Sequence, residues 1–225
     1  MGSTISLTAS DGFQLSAYRA EPEGPTRGGV VVVQEIFGVN SHIRSVADRY
    51  AAAGYLTIAP AIFDRVRPGI EIGYTPEDIE VGRGIAMGGD LDFEKVLDDV
   101  AAAGKVAREA GKVGVVGYCF GGRVTAAAAI QHADVFDAAS SYYGGGMVGL
   151  IDQTPAVPMI MHFGEHDHGI PLEDVNKVAA AWPQVTVYVY DAEHGFNCDQ
   201  RASFSPVPAA IAQARTFRFF DDQIG

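Results

Sequence analysis

Basic residues are scarce in this sequence. The 225 residues include 16 lysines and arginines against 28 aspartates and glutamates, for a formal net charge of −12. A surface that acidic repels phosphate backbones and anionic lipid, which argues against nucleic-acid and membrane partners. An anionic small molecule would need a local arginine cluster to bind. Cysteine is scarcer still. Two cysteines, Cys119 and Cys198, are too few for the disulfide framework of a small secreted domain. No apolar run approaches the ~18 residues of a membrane span. The opening MGSTISLTASDGF lacks a basic stretch followed by an apolar core, so no signal peptide is read and a cytoplasmic location is expected. No linker, repeat or low-complexity segment divides the chain, and its length suits one domain over residues 1–225.

What is present is an alternation of short apolar runs and amphipathic stretches. Residues 1–20 read as a hairpin: Ile5 and Leu7 alternate with polar residues, SDG turns, and Phe13, Leu15 and Ala17 alternate again. GVVVVQ (29–34), YLTIAP (55–60) and KVGVVG (112–117) read as strands buried on both faces. Further strands are expected over 137–144, 158–164 and 186–191. Helical spacing marks 41–54, 90–111 (opened by Asp90, closed by Gly111), 122–131, 172–182 and 208–222. Strand–helix alternation around central apolar strands predicts an α/β fold: a mostly parallel central sheet flanked by helices on both faces. In such sheets chemistry gathers in the loops at the carboxyl ends of strands. The residues found there are Glu35, Cys119, Tyr142 and Tyr143, Asp167, and His194.

One of those loops carries a specific pattern. VGVVGYCFGGR (113–123) places Cys119 between Gly117 and Gly121 where a strand passes into a helix. This is the Gly-x-Nuc-x-Gly elbow, whose strained turn requires small residues two before and two after the nucleophile. The helix that follows aims free N–H groups and its dipole at the thiol, which favours an anion there. A buried, inert cysteine in a tight crossover is the plainer reading of the pentapeptide alone. Its partners argue for the nucleophile. Asp167 lies 48 residues beyond Cys119, and His194 a further 27, in the order nucleophile, acid, histidine. Glu165, Asp174 and Glu193 are rivals to Asp167, which is preferred for its place straight after a strand. Glu35, at the end of a valine strand, is expensive to bury without a partner or a task, and an ion pair with an arginine is the alternative reading.

Other signals weigh less. His162, His166 and His168 surround Asp167, but His162 sits on an apolar strand and no well-spaced further ligands accompany them, so no metal is expected. The glycines of GIAMGG (84–89) lack a phosphate-loop pattern. Cys198, four residues past His194, reads as inert packing, with a regulatory disulfide to Cys119 as the alternative.

QEIFGVN (34–40), GYCFGG (117–122), GEHDHGIP (164–171) and AEHGFN (192–197) together resemble the dienelactone hydrolases, in order along essentially the whole chain. The resemblance implies an α/β-hydrolase fold and hydrolysis of dienelactones to maleylacetate, a step in aromatic degradation. It implies a Cys-His-Asp triad of Cys119, His194 and Asp167, with Glu35 beside the thiol helping to form the thiolate. It implies an oxyanion hole from the backbone N–H groups of Ile36 and Phe120, and no cofactor. The family holds the lactone carboxylate with two arginines. Where one of them falls this chain has Cys198, with Arg201 nearby; Arg83 is the nearest candidate for the other. Phe37 and one of Tyr142 and Tyr143 are expected to line the pocket. The expected partner is a small ester or lactone, anionic in the family, and a monomer is implied. A broader cysteine esterase acting on neutral esters, and a catalytically silent binding protein, are the competing readings.

Overall fold

The computed structural model describes residues 2–225. Strands β1 (Ser3–Thr8) and β2 (Gln14–Ala20) form the expected hairpin, with Leu7 opposite Leu15 and Ile5 opposite Ala17. Strands β3 (Gly28–Val33), β4 (Tyr55–Pro60), β5 (Val113–Tyr118), β6 (Ala138–Tyr142) and β7 (Met159–Gly164) are buried along their whole length. β8 (Thr186–Tyr190) is partly exposed. The eight strands make one sheet in the order β1-β2-β4-β3-β5-β6-β7-β8. β1–β2 and β2–β4 pair antiparallel, and every other pair is parallel. Continuous valine runs suit the interior of such a sheet because neither face meets water.

Helices α1 (Ser41–Ala52), α2 (Pro76–Met87), α3 (Phe93–Ala107), α4 (Phe120–Gln131), α5 (Leu172–Ala181) and α6 (Pro206–Ile224) complete the chain. Successive strand residues point to opposite faces. A side chain on Gly28 would run into Ile224 of α6, and one on Gly29 into Ala107 of α3, so these helices cover opposite faces. α1 joins α6, with the Tyr50 ring 5.0 Å from Phe217, and α4 packs beside α3. Among the described residues no helix is long and apolar enough to cross a membrane.

Several helix boundaries differ from the sequence expectation, and α6 runs two residues further at each end. α3 is capped by Asp92, whose side chain accepts from the Glu94 and Lys95 amides, and not by Asp90; it gives way to a 3-10 turn at Arg108–Ala110 before Gly111. α4 starts at Phe120, directly at the elbow. α2 is an addition. Its Thr75–Asp78 capping box and Pro76 in the first turn stabilise a helix start despite Gly82 and Gly84 further in. The glycine at 82 is used: a Cβ there would overlap the Ile36 carbonyl, so α2 lies directly on the loop after β3.

Candidate active site

β5 delivers Cys119 into a turn at φ +56°, ψ −116°. A non-glycine residue held there costs about 1–3 kcal/mol and persists only where its surroundings enforce it. They do so on both sides. The Cys119 amide donates to the Tyr142 carbonyl at 3.0 Å, and the Cys119 carbonyl accepts from the Gly122 amide at 2.9 Å. A Cβ at Gly117 would overlap the Gly121 carbonyl, and one at Gly121 would overlap those of Val33 and Gln34. The turn therefore closes only with glycine at both positions. Cys119 remains partly accessible at the N-terminus of α4. The Phe120 N–H opens that helix and has no acceptor within it. In the loop after β3, the Ile36 N–H is engaged by no backbone carbonyl among the described residues.

His194 follows β8 and Asp167 follows β7. The His194 Nδ1 donates to Asp167 Oδ2 at 2.7 Å. Asp167 Oδ1 accepts from the Gly169 amide at 2.8 Å, so both carboxylate oxygens are fixed. The Asp167 side chain is fully buried, whereas His194 keeps 28% of its side chain accessible. Burial works against a charged His194 ring. The neighbouring Cys119, by charge and hydrogen bonding, and Asp167 outweigh it, and the imidazole pKa rises to about 10. The rivals of Asp167 lie elsewhere: Glu165 and Glu193 are exposed, and Asp174 pairs with Lys177 at 3.2 Å.

Glu35 and Arg201 meet beside this pair. Glu35 is wholly buried, and its Oε1 accepts from Arg201 Nη1 at 3.3 Å. The guanidinium reaches the histidine loop by lying against Gly195, where a Cβ would collide with it. It also sits 5.7 Å from the Phe37 ring centre. Burial opposes the Arg201 charge, but the charges of Glu35, Tyr143, Cys119 and Cys198 hold its pKa above the usual arginine value. Tyr143, at φ +36°, places its ring 5.1 Å from His194. Its buried hydroxyl has no hydrogen-bond partner among the described residues.

A family model described as the dienelactone hydrolase family matches residues 15–224. The chain belongs to that family. A Synechocystis protein assigned as a carboxymethylenebutenolidase is 35% identical over 242 residues, covering 98% of this chain and 97% of that protein. The Pseudomonas putida carboxymethylenebutenolidase is 30% identical over 226 residues, covering 96% and 94%. A crystal structure of a Klebsiella pneumoniae protein assigned as a dienelactone hydrolase has a TM-score of 0.85 at 28% identity over 98% of each chain. The α/β-hydrolase fold and an ester- or lactone-hydrolase activity follow from this membership.

Within the dienelactone hydrolase frame, some expected residues stand apart from the cluster. The Tyr142 hydroxyl shares a 2.7 Å hydrogen bond with Thr216 of α6, so this tyrosine faces the core and not the pocket. Arg83 is exposed on α2 and makes no ion pair among the described residues. Both ring nitrogens of His162 are taken, by Tyr190 at 2.8 Å and Thr216 at 3.0 Å. Burial, with the charge of Arg215, pushes its pKa down to about 3. His166 is exposed and pairs with Asp191 at 2.8 Å. Cys198 is fully buried, and burial followed by the charge of Glu35 pushes its thiol pKa up to about 12. Sequence reasoning passed over His42, Tyr74 and Asp199. His42 lies in the first turn of α1 and looks in sequence like any polar helix residue, yet it is fully buried.

Proposed function

We propose that this chain hydrolyses a dienelactone-type enol lactone, carboxymethylenebutenolide, to maleylacetate with Cys119 as the nucleophile. The observation that carries the reading is the position of His194, hydrogen-bonded to buried Asp167 at 2.7 Å and raised by its Cys119 neighbour. The names of the relatives support the substrate class.

In the reaction His194 takes the Cys119 proton and holds it as an imidazolium. The Cys119 sulfur attacks the lactone carbonyl, and the new oxyanion receives the Phe120 and Ile36 N–H groups. The ring C–O bond breaks, the leaving enolate oxygen takes the His194 proton, and a thioester remains. His194 then removes a proton from water, which attacks the thioester and releases the thiolate and the second carboxylate. The enol tautomerises to the ketone. Asp167 holds the His194 tautomer throughout. Arg201 offers the only guanidinium paired with Glu35 among the described residues. A substrate carboxylate that drew it away would free Glu35 beside the site.

The test follows dienelactone loss by absorbance in wild type, Cys119→Ala and Cys198→Ala at several salt concentrations. Activity in wild type and Cys198→Ala, none in Cys119→Ala, and a KM that rises with salt are expected. A second reading, an esterase for neutral esters, draws support from Arg201 being neutralised by Glu35 and from the exposed position of Arg83. Equal kcat/KM for carboxylated and methyl-capped lactones would favour it and reject the anionic substrate.

A further inference from the structure

Beside His194 lies a second buried cluster that the proposed reaction only partly uses. Glu35 follows β3, His42 opens α1, and Cys198 sits in the loop after β8. All three residues are fully buried. One carboxylate oxygen, one ring nitrogen and the Cys198 sulfur lie within 4.8 Å of one another.

The hydrogen bonds around the cluster leave lone pairs unanswered. His42 Nδ1 is 2.9 Å from Asp199 Oδ1. That carboxylate fixes the proton on Nδ1 and leaves a lone pair on Nε2. Among the described residues the buried Nε2 has no hydrogen-bond partner, and neither does Glu35 Oε2. The Tyr74 hydroxyl, beside Cys198, accepts from Asn40 Nδ2 at 3.1 Å. The single thiol proton cannot satisfy two acceptors. A cation can.

The donor set selects its class. Magnesium and calcium take oxygen ligands. A carboxylate, an imidazole and a thiolate suit a borderline-soft divalent ion, zinc foremost. Bonds of about 2.0–2.3 Å around a tetrahedral ion set its donors roughly 3.3–3.8 Å apart, so the cluster need close by only about 1 Å. A carboxylate on the far nitrogen of a metal-binding histidine is the usual means of orienting that ring. Asp199 already stands there.

We propose that Glu35, His42 and Cys198 form a zinc-binding site, with Asp199 positioning His42. On binding, the Cys198 thiol gives its proton to solvent and a sulfur–zinc bond forms; no electrons change hands. The fourth position is left for water. Zinc held there also ties up the carboxylate that pairs with Arg201, which makes hydrolysis zinc-sensitive. That last consequence rests on the reading of Glu35 given above; the binding itself does not.

Cobalt(II) titration into the Cys119→Ala protein tests the site. Cys119 and Cys198 are the only cysteines, so a thiolate-to-cobalt absorption band in this variant arises from Cys198. The expected result is a band that saturates at one ion per chain and is displaced by zinc. Adding Cys198→Ser or His42→Ala should abolish it, and Asp199→Asn should weaken binding by about 10–100-fold. Circular dichroism confirms that each variant is folded, and His42→Gln carries the same readout if His42→Ala is not. Absence of the band, or a band indifferent to His42, overturns the site. A separate arm compares zinc inhibition of wild type and His42→Gln. Binding without any His42-dependent inhibition would leave the site standing and reject the link through Glu35.

Discussion

The charge on His194 is where single residues have the largest leverage. Its imidazole is lifted to about 10 against the pull of burial, by Cys119 first and Asp167 second. Removing either partner leaves burial less opposed. The ring pKa, followed by NMR, is therefore expected to fall in both Cys119→Ala and Asp167→Asn; an unchanged value in Cys119→Ala would reject the thiol–imidazole pairing. The Ile36 N–H makes a second point of leverage. Ile36→Pro removes it, and kcat should drop by about 10²–10³, the usual cost of one oxyanion donor. A folded Ile36→Pro protein with unchanged kcat would take that amide out of the reaction. Cys119, Asp167 and His194 were legible as candidates in the sequence because each stands just past a strand; Ile36 came only through the family resemblance. Tyr142 and Tyr143 were not separable. Neighbouring residues diverge at a strand end, and only the positive φ of Tyr143 shows which ring turns toward His194.

At the scale of elements, one arginine ties three segments together. Arg65, in the loop after β4, makes two bonds to Asp99 of α3, Nε to Oδ2 at 2.7 Å and Nη2 to Oδ1 at 2.8 Å. It also reaches Asp11 in the β1–β2 turn at 2.9 Å, and its guanidinium lies 4.4 Å from the centre of the Phe13 ring. Asp99 is fully buried, so Arg65→Met would strand its charge. A loss of about 3–5 kcal/mol is expected in urea unfolding. Asp99→Asn, which keeps the shape and loses the charge, should cost less. Most strands and helices were legible because their apolar period or continuity is strong. α2 was not, because Gly82, Gly84, Gly88 and Gly89 suggest a loop. Its capping box was the available signal, and the cost of Gly82 is offset by contact with the Ile36 loop.

For the whole molecule, two histidines set opposite limits on stability. His194 is raised, so its contribution is complete below its ordinary value of 6.5 and is lost as pH climbs through about 10. His162 is buried neutral with its pKa near 3, so the unfolded chain binds the extra proton and stability falls as pH drops below 6.5. Each slope approaches ~1.4 kcal/mol per pH unit within its window. Urea midpoints measured across pH should therefore peak near neutrality. His162→Gln should flatten the acid side while leaving the alkaline side in place. Neither window could be read from sequence, since it depends on which histidine the fold encloses.

β8 is the last strand of the sheet, partly exposed, with Val189 open to solvent. An edge strand has one ladder where a central strand has two, and such segments open before the rest. His194 is hung from that edge, while Cys119 is anchored at the sheet's centre. Heating should accordingly switch the enzyme off before it melts: turnover would fade over a temperature range where circular dichroism still reads native, and would return on cooling. The working ceiling of this hydrolase would then be set by the fraying of one margin.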